Sequence, residues 1–551
     1  MKKKLLCLLL AAAMLLLSAC GGNAASDPAS LIPESTKGKD VTRARAADNY
    51  FSLNYNEDFS LNPILATNHS NQLLCDLVYE NMVELDDNFN VIPNVLDEGM
   101  PNDDATYWIF NIEQGHVFHD GTPVTGADIR YSLERAVATQ DRFRGRFSSY
   151  QGSGYDENHF YVTLGIGDTQ FAKLLNIPII KSGTMDDKPP MGSGPYDYGE
   201  YGKALVAYEG YPGYEDLPIK TIHLVSYSTA DEILSNFEDG VIDAVTNDPS
   251  SYTNIGYSSS NEIRNFNTTN LHYIMFNEEG LIGRYSGFRQ AMLYAFDRQN
   301  FAANLMHGNA VAAAVPMHPA CADYPAEYAS ALAYNLDTCR IVLENAGIRD
   351  YDDDGMLEYM SGTAQDIDVN FIVCSDSSAK TGVARRFAED MASIGLKVTV
   401  RELTWGEYLT ALEEGDFDMY YGEVKLRNNF DLTELLDPDS ELNYSRSIDT
   451  GYVAMINNYL SCAAPQRSAV FRQLCDYINT NGALISIGFE SQQLIVHRGV
   501  IRGLNPNIGN PLYDFQHWEI LLDENENGKA MQSAAETNKK APEDSGEKLD
   551  K

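Results

Sequence analysis

Two stretches of the sequence carry residue types that could do chemistry at a catalytic or metal centre. In His119-Asp120 a carboxylate stands beside an imidazole, the pairing used in general acid–base catalysis. Gly121 and Pro123 place this pair in a tight turn, where neighbouring side chains rarely face each other. The hydrolase motifs G-x-S-x-G and H-E-x-x-H are absent from the chain. The sequence therefore predicts a protein that is not an enzyme.

The acidic stretch Asp350–Gly355 has the spacing of the first half of a calcium-binding loop. The twelfth position of such a loop requires a glutamate, and Ser361 occupies it here. The turn Gly192–Tyr196 is rich in glycine but lacks the Lys-Ser/Thr pair of a nucleotide-binding loop. We therefore expect a solvated acidic turn at the first place, no nucleotide at the second, and a protein that uses no metal and no cofactor.

The length and charge of the chain exclude several classes of protein. A chain of 551 residues exceeds the roughly 250–300 residues that one hydrophobic core usually serves, so several domains are expected. The net charge of −39 argues against nucleic acid as a partner, because phosphate recognition needs a basic surface. After residue 19 no run approaches the ~20 apolar residues of a spanning helix. These features exclude a multi-span membrane protein and indicate a large acidic body.

The first twenty residues have the composition of an export signal. Lys2–Lys4 form a positive head, and Leu5–Leu17 form an apolar stretch too short to span a membrane permanently. The end of this stretch, Leu17–Cys20, resembles the lipobox of bacterial lipoproteins. That resemblance implies removal of residues 1–19 and attachment of diacylglycerol to Cys20, whose two acyl chains would hold the protein firmly to a bilayer. An ordinary secreted protein with an incidental cysteine is the alternative.

Both ends of the mature chain are poor in apolar residues. Residues 20–47 are rich in Gly, Ala, Ser and Pro, which predicts a lipid-anchored flexible linker. Residues 524–551 are polar and rich in Lys and Glu, which predicts a disordered tail.

Six cysteines follow Cys20, and none of them forms a C-x-x-C pair, so no zinc ribbon is supported. An exported protein could pair Cys321 with Cys339, or Cys462 with Cys475. Buried free thiols are the alternative, and the sequence leaves both open.

Between the two ends, strand-like runs alternate with amphipathic helices, which is typical of α/β architecture. Tyr107–Ile112 alternates in polarity and is rich in aromatic residues, so it predicts a strand. Thr125 and Asp128 have the spacing of a capping box at the start of a helix. Phe288–Phe301 predicts one further helix.

Several short motifs follow one another in a fixed order along the body of the chain. They are Asn62-Pro63, Leu77–Asn81, Val117–Ile129, Gly192–Tyr196, Gly240–Asp243, Phe288–Ala291, Ala295–Arg298 and Asp416–Met419. In this order they resemble the family 5 extracellular solute-binding proteins, which include the oligopeptide- and dipeptide-binding subunits of bacterial ABC importers. The resemblance runs from about Phe51 to about Trp518.

This resemblance implies an α/β fold of the periplasmic-binding-protein type II-like kind: a two-lobed clamp with an extra α/β subdomain. Each lobe would be built from discontinuous segments, because the chain crosses between lobes. We expect lobe I to combine residues 48–75, 191–295 and 489–523, lobe II to comprise 296–488, and the family-specific subdomain to comprise 76–190. Ligand would bind in the crevice between the lobes.

Trp405 is the first candidate for a ligand contact. In peptide-binding relatives a tryptophan at the matching place lines the cleft, where an indole offers a flat apolar wall to varied side chains. Ordinary core packing of Trp405 is the alternative.

The loop that follows, residues 423–431, supplies the other candidates. Peptide-binding relatives carry an aspartate here that pairs with the α-ammonium of the ligand, and Asp431 is the best match. Asn428 and Asn429 would be its hydrogen-bonding neighbours, and Arg427 or Lys425 would meet a ligand carboxylate. The usual Gly-Trp and Asp-Tyr steps of the family are missing from this loop. Capping of the following helix by Asp431 is the alternative.

The resemblance implies the function of an ABC importer's ligand-capturing subunit. We predict a monomer that is anchored by Cys20 on the extracytoplasmic face of the cell membrane, binds short peptides and delivers them to the membrane permease. The same clamp with a non-peptide ligand (a metal chelate, haem, an opine or a sugar) is the first alternative. A surface adhesin or chaperone-like lipoprotein is the second.

Overall fold

The computed structural model describes residues 50–139, 142–199, 202–251, 256–258 and 260–521. The predicted signal peptide, the linker with Cys20 and the polar tail lie outside these residues. Within the described part, no helix combines the length and the apolar character needed to cross a membrane.

Short strands alternate with helices along the described chain. The strands are β1 (Ser52–Tyr55), β2 (Val83–Leu85), β3 (Val91–Pro93), β4 (Met100–Pro101), β5 (Tyr107–Asn111), β6 (Tyr150–Tyr155), β7 (His159–Leu164), β8 (Tyr196–Tyr198), β9 (Ala204–Ala207), β10 (Thr221–Ser226), β11 (Ala244–Asn247), β12 (Glu262–Phe276), β13 (Ala310–Ala312), β14 (Ile348–Arg349), β15 (Glu358–Ser361), β16 (Thr363–Asp366), β17 (Asp368–Cys374), β18 (Lys397–Leu403), β19 (Met419–Lys425), β20 (Leu484–Val496), β21 (Ile501–Arg502) and β22 (Glu519–Ile520). The α-helices are α1 (His69–Val78), α2 (Gly126–Ala138), α3 (Ala230–Glu238), α4 (Ser286–Met292), α5 (Arg298–Asn300), α6 (Tyr328–Ala331), α7 (Leu336–Asn345), α8 (Ser378–Ser393), α9 (Trp405–Glu414), α10 (Thr433–Leu436), α11 (Gly451–Ser461) and α12 (Ala464–Asn481).

A mixed sheet of eleven strands runs through the described chain. Its order is β18-β17-β19-β12-β20-β11-β1-β10-β9-β8, and β13 adds to β20. The pairs of β17 with β18 and of β1 with β10 are parallel, whereas β12 pairs antiparallel with both β19 and β20. The two longest strands, β12 and β20, therefore lie side by side at the centre.

These two central strands pass from one hydrophobic core into another. Leu494 and Val496 of β20 pack in a first core with residues of β1 and α1, whereas Leu484 and Phe489 of the same strand pack in a second core with residues of α7 and α8. The register between β12 and β20 breaks between Asn267 and Leu271, at the passage from one core to the other. Two lobes joined by crossing strands confirm the predicted clamp.

The predicted subdomain has a four-stranded sheet of its own, β4-β5-β7-β6, beside α2. Its buried side chains belong to the same core as lobe I. The predicted strand at 107 and the Thr125 capping box are both present. The exact lobe boundaries stay a prediction, and the packing of Leu271 to Ala295 in the second core favours a crossover near residue 270.

The glycine turn of the family motif lies against the C-terminal end of α1. The Gly194 amide donates to the Val78 carbonyl at 2.8 Å, and a Cβ added to Gly194 would lie 2.6 Å from the Val78 carbonyl carbon. His119 holds the same turn, since its Nε2 lies 3.0 Å from the Gly194 carbonyl oxygen. Asp120 faces elsewhere and pairs with Lys181. His119 and Asp120 therefore bind different partners, and the contact made by His119 stabilises the glycine turn.

The helix predicted over 288–301 is interrupted. Helix α4 ends at Met292, and α5 begins at Arg298 after a turn that includes Asp297. The Asp297 side chain caps α5 by accepting from the Asn300 amide at 2.9 Å. Arg298 donates to the Leu293 carbonyl at 3.3 Å, so a backbone oxygen freed by the interruption keeps a partner. A local capping residue and a buried guanidinium therefore outweigh helical periodicity here.

The acidic turn at 350 brings four carboxylates together. One oxygen each of Asp350, Asp352, Asp354 and Glu358 lies within 4.8 Å of the others. Asp350 accepts from the Gly355 amide at 2.8 Å, which closes the turn.

The six cysteines of the described chain are all free thiols, so the structure contains neither the Cys321–Cys339 nor the Cys462–Cys475 pairing considered above.

Candidate functional site

A cavity of about 410 Å³ lies where the crossing strands meet α1. Side chains of both lobes line it, and the volume falls within the roughly 300–1,000 Å³ of small-molecule sites. The lining residues are Thr67, His69, Gln72, Leu73, Asp76, Arg142, Phe143, Arg146, Asn176, Thr246, Asp248, Phe266, Asn267, Thr268, Thr269, Asn270, Glu423, Val424, Lys425, Asn428, Gln492, Ile508, Gly509 and Pro511.

One face of α1 forms a wall of this cavity. His69, Gln72, Leu73 and Asp76 stand at the i, i+3, i+4 and i+7 spacing that places residues on one side of a helix. The helix begins after Asn68, whose side chain accepts from the Asn71 amide at 3.2 Å. The opposite side of the helix packs in the first core together with Leu73, so three of the four wall residues are polar while the helix stays anchored.

The crossing strands form the other wall. The register break of β12 falls at Thr268–Asn270, and these residues line the cavity together with Gln492 of β20. Thr269 bonds the Leu426 carbonyl through its hydroxyl at 2.6 Å, which ties β12 to the segment after β19. The cavity therefore borders the strands that connect the lobes, where a bound solute would touch both halves.

Three cationic side chains face the cavity. Arg142 donates to the Pro63 carbonyl at 2.6 Å, and Arg146 donates to the Asn176 carbonyl at 3.0 Å. The Lys425 ammonium forms no hydrogen bond with another described residue, although the Lys425 backbone pairs with β12. Burial, together with the positive charges of Arg146 and Arg142, lowers the pKa of Lys425 to about 8, and the nearby Glu490 opposes this fall. The lysine remains charged at pH 7, so the cavity holds an ammonium that lacks a paired carboxylate.

Three carboxylates face the same cavity. Burial raises the pKa of Asp76 well above its usual range, and the nearby Arg142 opposes that rise. Asp248 accepts from the Ser250 amide at 2.8 Å and is held in its own turn. Glu423 pairs with Lys380 at 2.8 Å. The cavity therefore presents both signs of charge around one small volume.

The loop residues predicted as ligand contacts pair mostly with one another or with the protein body. Arg427 and Asp431 form an ion pair at 2.5 Å, and Asp431 also accepts from the Thr433 amide at 2.9 Å. Asn429 is buried and donates to Asp168 at 2.8 Å. Asn428 lines the cavity. The structure thus places Asn428 and Lys425 at the cavity, while an ammonium-binding role for Asp431 stays a prediction.

Trp405 lies outside the cavity lining. It begins α9, stacks on Tyr408 with ring centroids 6.0 Å apart, and is 59% exposed. Such exposure leaves a flat apolar face free for contact, and core packing does not account for it. Its role as a cleft wall stays a prediction.

Most residues of the cavity wall were not predicted from the sequence. Arg142 and Arg146 lie in a loop without a motif, and Asp76 sits on a helix with an ordinary amphipathic pattern. The available signal was the polar i, i+3, i+7 stripe His69-Gln72-Asp76 on a helix whose second half is otherwise apolar. That stripe shows which side of the helix lies outside the core, but it does not show which residues lie opposite that side.

Glu84 is partly buried, its partner Asn176 lines the cavity, and its carboxyl group should make stability depend on pH. Burial raises the pKa of Glu84 to about 7, although hydrogen bonds from Asn81 at 2.8 Å and Asn176 at 3.2 Å oppose the rise, and Glu80 adds to it. An unfolded glutamate releases its proton near pH 4.5, so stability falls as pH rises from about 4.5 to 7. Glu84→Gln should therefore raise the free energy of unfolding by about 1–3 kcal/mol at pH 8 and leave it unchanged at pH 4.

Urea unfolding of parent and variant at unit pH steps from 4 to 8 measures this difference. The exposed Glu98→Gln is the matched control and should give parallel curves. A Glu84→Gln curve that runs parallel to the parent's would show that Glu84 ionises normally in the folded state.

Comparisons with known proteins assign the chain to a family. The model of bacterial extracellular solute-binding proteins, family 5 Middle, matches residues 90–434. The chain belongs to this family. Over 386 residues it is 20% identical to the oligopeptide-binding protein AppA of Bacillus subtilis, covering 65% of this chain and 69% of that protein. Over 518 residues it is 23% identical to a probable deoxycholate-binding periplasmic protein of Escherichia coli, covering 84% and 91%.

Solved structures share the fold. The NikZ protein of Campylobacter jejuni in complex with Ni(L-His) aligns with a TM-score of 0.64 at 16% identity, over 86% of this chain and 99% of that chain. The AppA protein in complex with a nonapeptide aligns with a TM-score of 0.60 at 17% identity, over 87% and 100%. Family 5 members are binding subunits of ABC importers that act outside the cytoplasm. The prediction that the protein is not an enzyme is confirmed.

Proposed function

We propose that this binding subunit captures short peptides in the 410 Å³ cavity and delivers them to its permease. The observation that carries the proposal is the presence of three cationic side chains and three carboxyl groups around one small polar volume. A short peptide is a zwitterion whose backbone donates and accepts hydrogen bonds. Its carboxylate matches Lys425 with Arg142 and Arg146, and its amides match the Asn, Gln and Thr side chains of the crossing strands.

Capture depends on contact with both lobes. A solute that touches α1 on one side and β19 on the other stabilises the closed clamp over the open one by the difference in its two affinities. The relative that is crystallised with a nonapeptide binds a longer ligand. The volume found here fits a solute of a few residues.

Calorimetric titration with tetra-alanine tests this proposal, with its amidated and its N-acetylated forms as probes of each charge. We expect tetra-alanine to bind, the amidated form to bind at least about 10-fold more weakly, and small-angle scattering to show compaction on binding. Binding of Ni(L-His) or deoxycholate without any binding of peptides would instead assign one of those solutes to the same clamp.

The lipid anchor is a separate part of the proposal, supported by the lipobox-like Leu17–Cys20. Cells that express the chain and are grown with radiolabelled palmitate should yield labelled protein in the membrane fraction. Cys20→Ser should abolish the label, and the matched control Cys7→Ser should keep it. Label that persists in Cys20→Ser would place the acyl chain elsewhere.

A further inference from the structure

Three side chains meet on neighbouring central strands beside the cavity. His272 of β12 stands opposite Glu423 of β19 in the strand register, and Glu490 comes from the adjacent β20. One nitrogen or oxygen of each lies within 4.8 Å of the other two. The side chains of His272 and Glu490 are both 0% exposed, while Glu423 lines the cavity.

A neighbour holds one polar atom of each of these groups, and His272 and Glu490 each have a second polar atom without a partner. The Nδ1 of His272 lies 3.0 Å from the Tyr421 hydroxyl, and its Nε2 has no hydrogen-bond partner. One oxygen of Glu490 accepts from Ser250 at 2.8 Å, and the other has no partner. One oxygen of Glu423 pairs with Lys380 at 2.8 Å. This is the arrangement of metal ligands oriented by a second layer of hydrogen bonds.

The distance between the buried side chains of His272 and Glu490 also fits a pair of metal ligands. The Nε2 of His272 lies 3.7 Å from the Glu490 oxygen that accepts from Ser250, which is too long for a hydrogen bond. Two ligands of a tetrahedral Zn²⁺ lie about 3.4 Å apart, given bond lengths near 2.0–2.2 Å. A buried imidazole nitrogen and a buried carboxylate oxygen that both lack partners are unfavourable, and a cation between the two groups would satisfy both.

We propose that His272, Glu423 and Glu490 form a site for a divalent transition metal such as Zn²⁺. One imidazole nitrogen and two carboxylate oxygens suit such an ion, and three protein ligands leave a position open for water or for a solute. The site lies on the strands that join the lobes, at the wall of the ligand cavity. It is independent of whether the captured solute is a peptide.

Titration of the mature chain with Zn²⁺ alone, without a polyhistidine tag, tests this proposal. We expect one tightly bound ion, and His272→Gln and Glu490→Gln should each weaken its binding at least about 10-fold. Tyr421→Phe removes only the group that orients His272 and should weaken binding about 10- to 100-fold. The matched control is His318→Gln, which alters a buried histidine that has an open Nε2 and no carboxylate partner.

Circular dichroism reports whether each variant is folded, and Tyr421→Phe decides the matter if His272→Gln does not fold. Co²⁺ at a concentration that half-saturates the parent should give visible absorption bands in the parent and much weaker bands in Tyr421→Phe. Equal Zn²⁺ affinity in parent, Tyr421→Phe and Glu490→Gln would overturn the proposal. So would a parent chain that binds no Zn²⁺.

Discussion

The Lys425→Met variant is expected to bind tetra-alanine at least about 30-fold more weakly than the parent chain. The Lys425 ammonium lines the cavity, is charged at pH 7, and has no hydrogen-bond partner among the described residues. Removing one partner of a desolvated charge pair costs about 2–5 kcal/mol. Methionine keeps most of the side-chain length, so the change removes charge with little change in volume.

Calorimetry at pH 7 measures this loss, and two comparisons make it specific. Lys397→Met removes an exposed lysine that pairs with Asp368 and should leave the affinity unchanged. Amidated tetra-alanine, which lacks the carboxylate, should bind parent and Lys425→Met equally. A variant that binds tetra-alanine as tightly as the parent would remove Lys425 from the site.

The Arg298→Met variant is expected to lose about 2–4 kcal/mol of unfolding free energy. Arg298 is buried and donates to the carbonyls of Ser486 at 2.7 Å, Leu332 at 2.8 Å and Leu293 at 3.3 Å. An orphaned buried carbonyl costs about 1–3 kcal/mol. Burial also lowers the pKa of Arg298 to about 10, so removing the charge recovers part of the loss.

Urea unfolding at pH 7 measures this change. Arg340→Met alters an exposed arginine on α7 that pairs with Glu344, and it should shift stability by less than about 0.5 kcal/mol. Unchanged stability in Arg298→Met would mean that water or a shifted backbone satisfies the three carbonyls. The variant tests why the Ala295–Arg298 motif ends in arginine: it fastens the turn between α4 and α5 to β20.

Local patterns were enough to predict several elements. The capping box at Thr125 gave the start of α2, because cap residues and the helix they begin are adjacent in the chain. The helix predicted over 288–301 was wrong in its middle. Asp297 and Arg298 interrupt it through contacts with residues as distant as Ser486, which periodicity does not register.

At the candidate site too, residue types could be predicted from the sequence but their contacts could not. Lys425 and Asn428 were predicted at the cavity, but Arg427 and Asp431 satisfy each other four residues apart. Their side chains were the right types for a ligand carboxylate and ammonium. Only the loop conformation decides that they pair locally.

The sequence by itself determined the family and, through it, the two-lobed fold, because the order of motifs is a property of the chain. The tertiary structure alone decided the cavity and the His272–Glu490 cluster. His272 and Glu490 are far apart in the chain, and the adjacent strands β12 and β20 bring them together. Arg142 and Lys425 are also far apart in the chain, and they meet only in the wall of the cavity. Which polar atoms remain without partners depends on everything that packs around them, and this can be seen only in the folded protein.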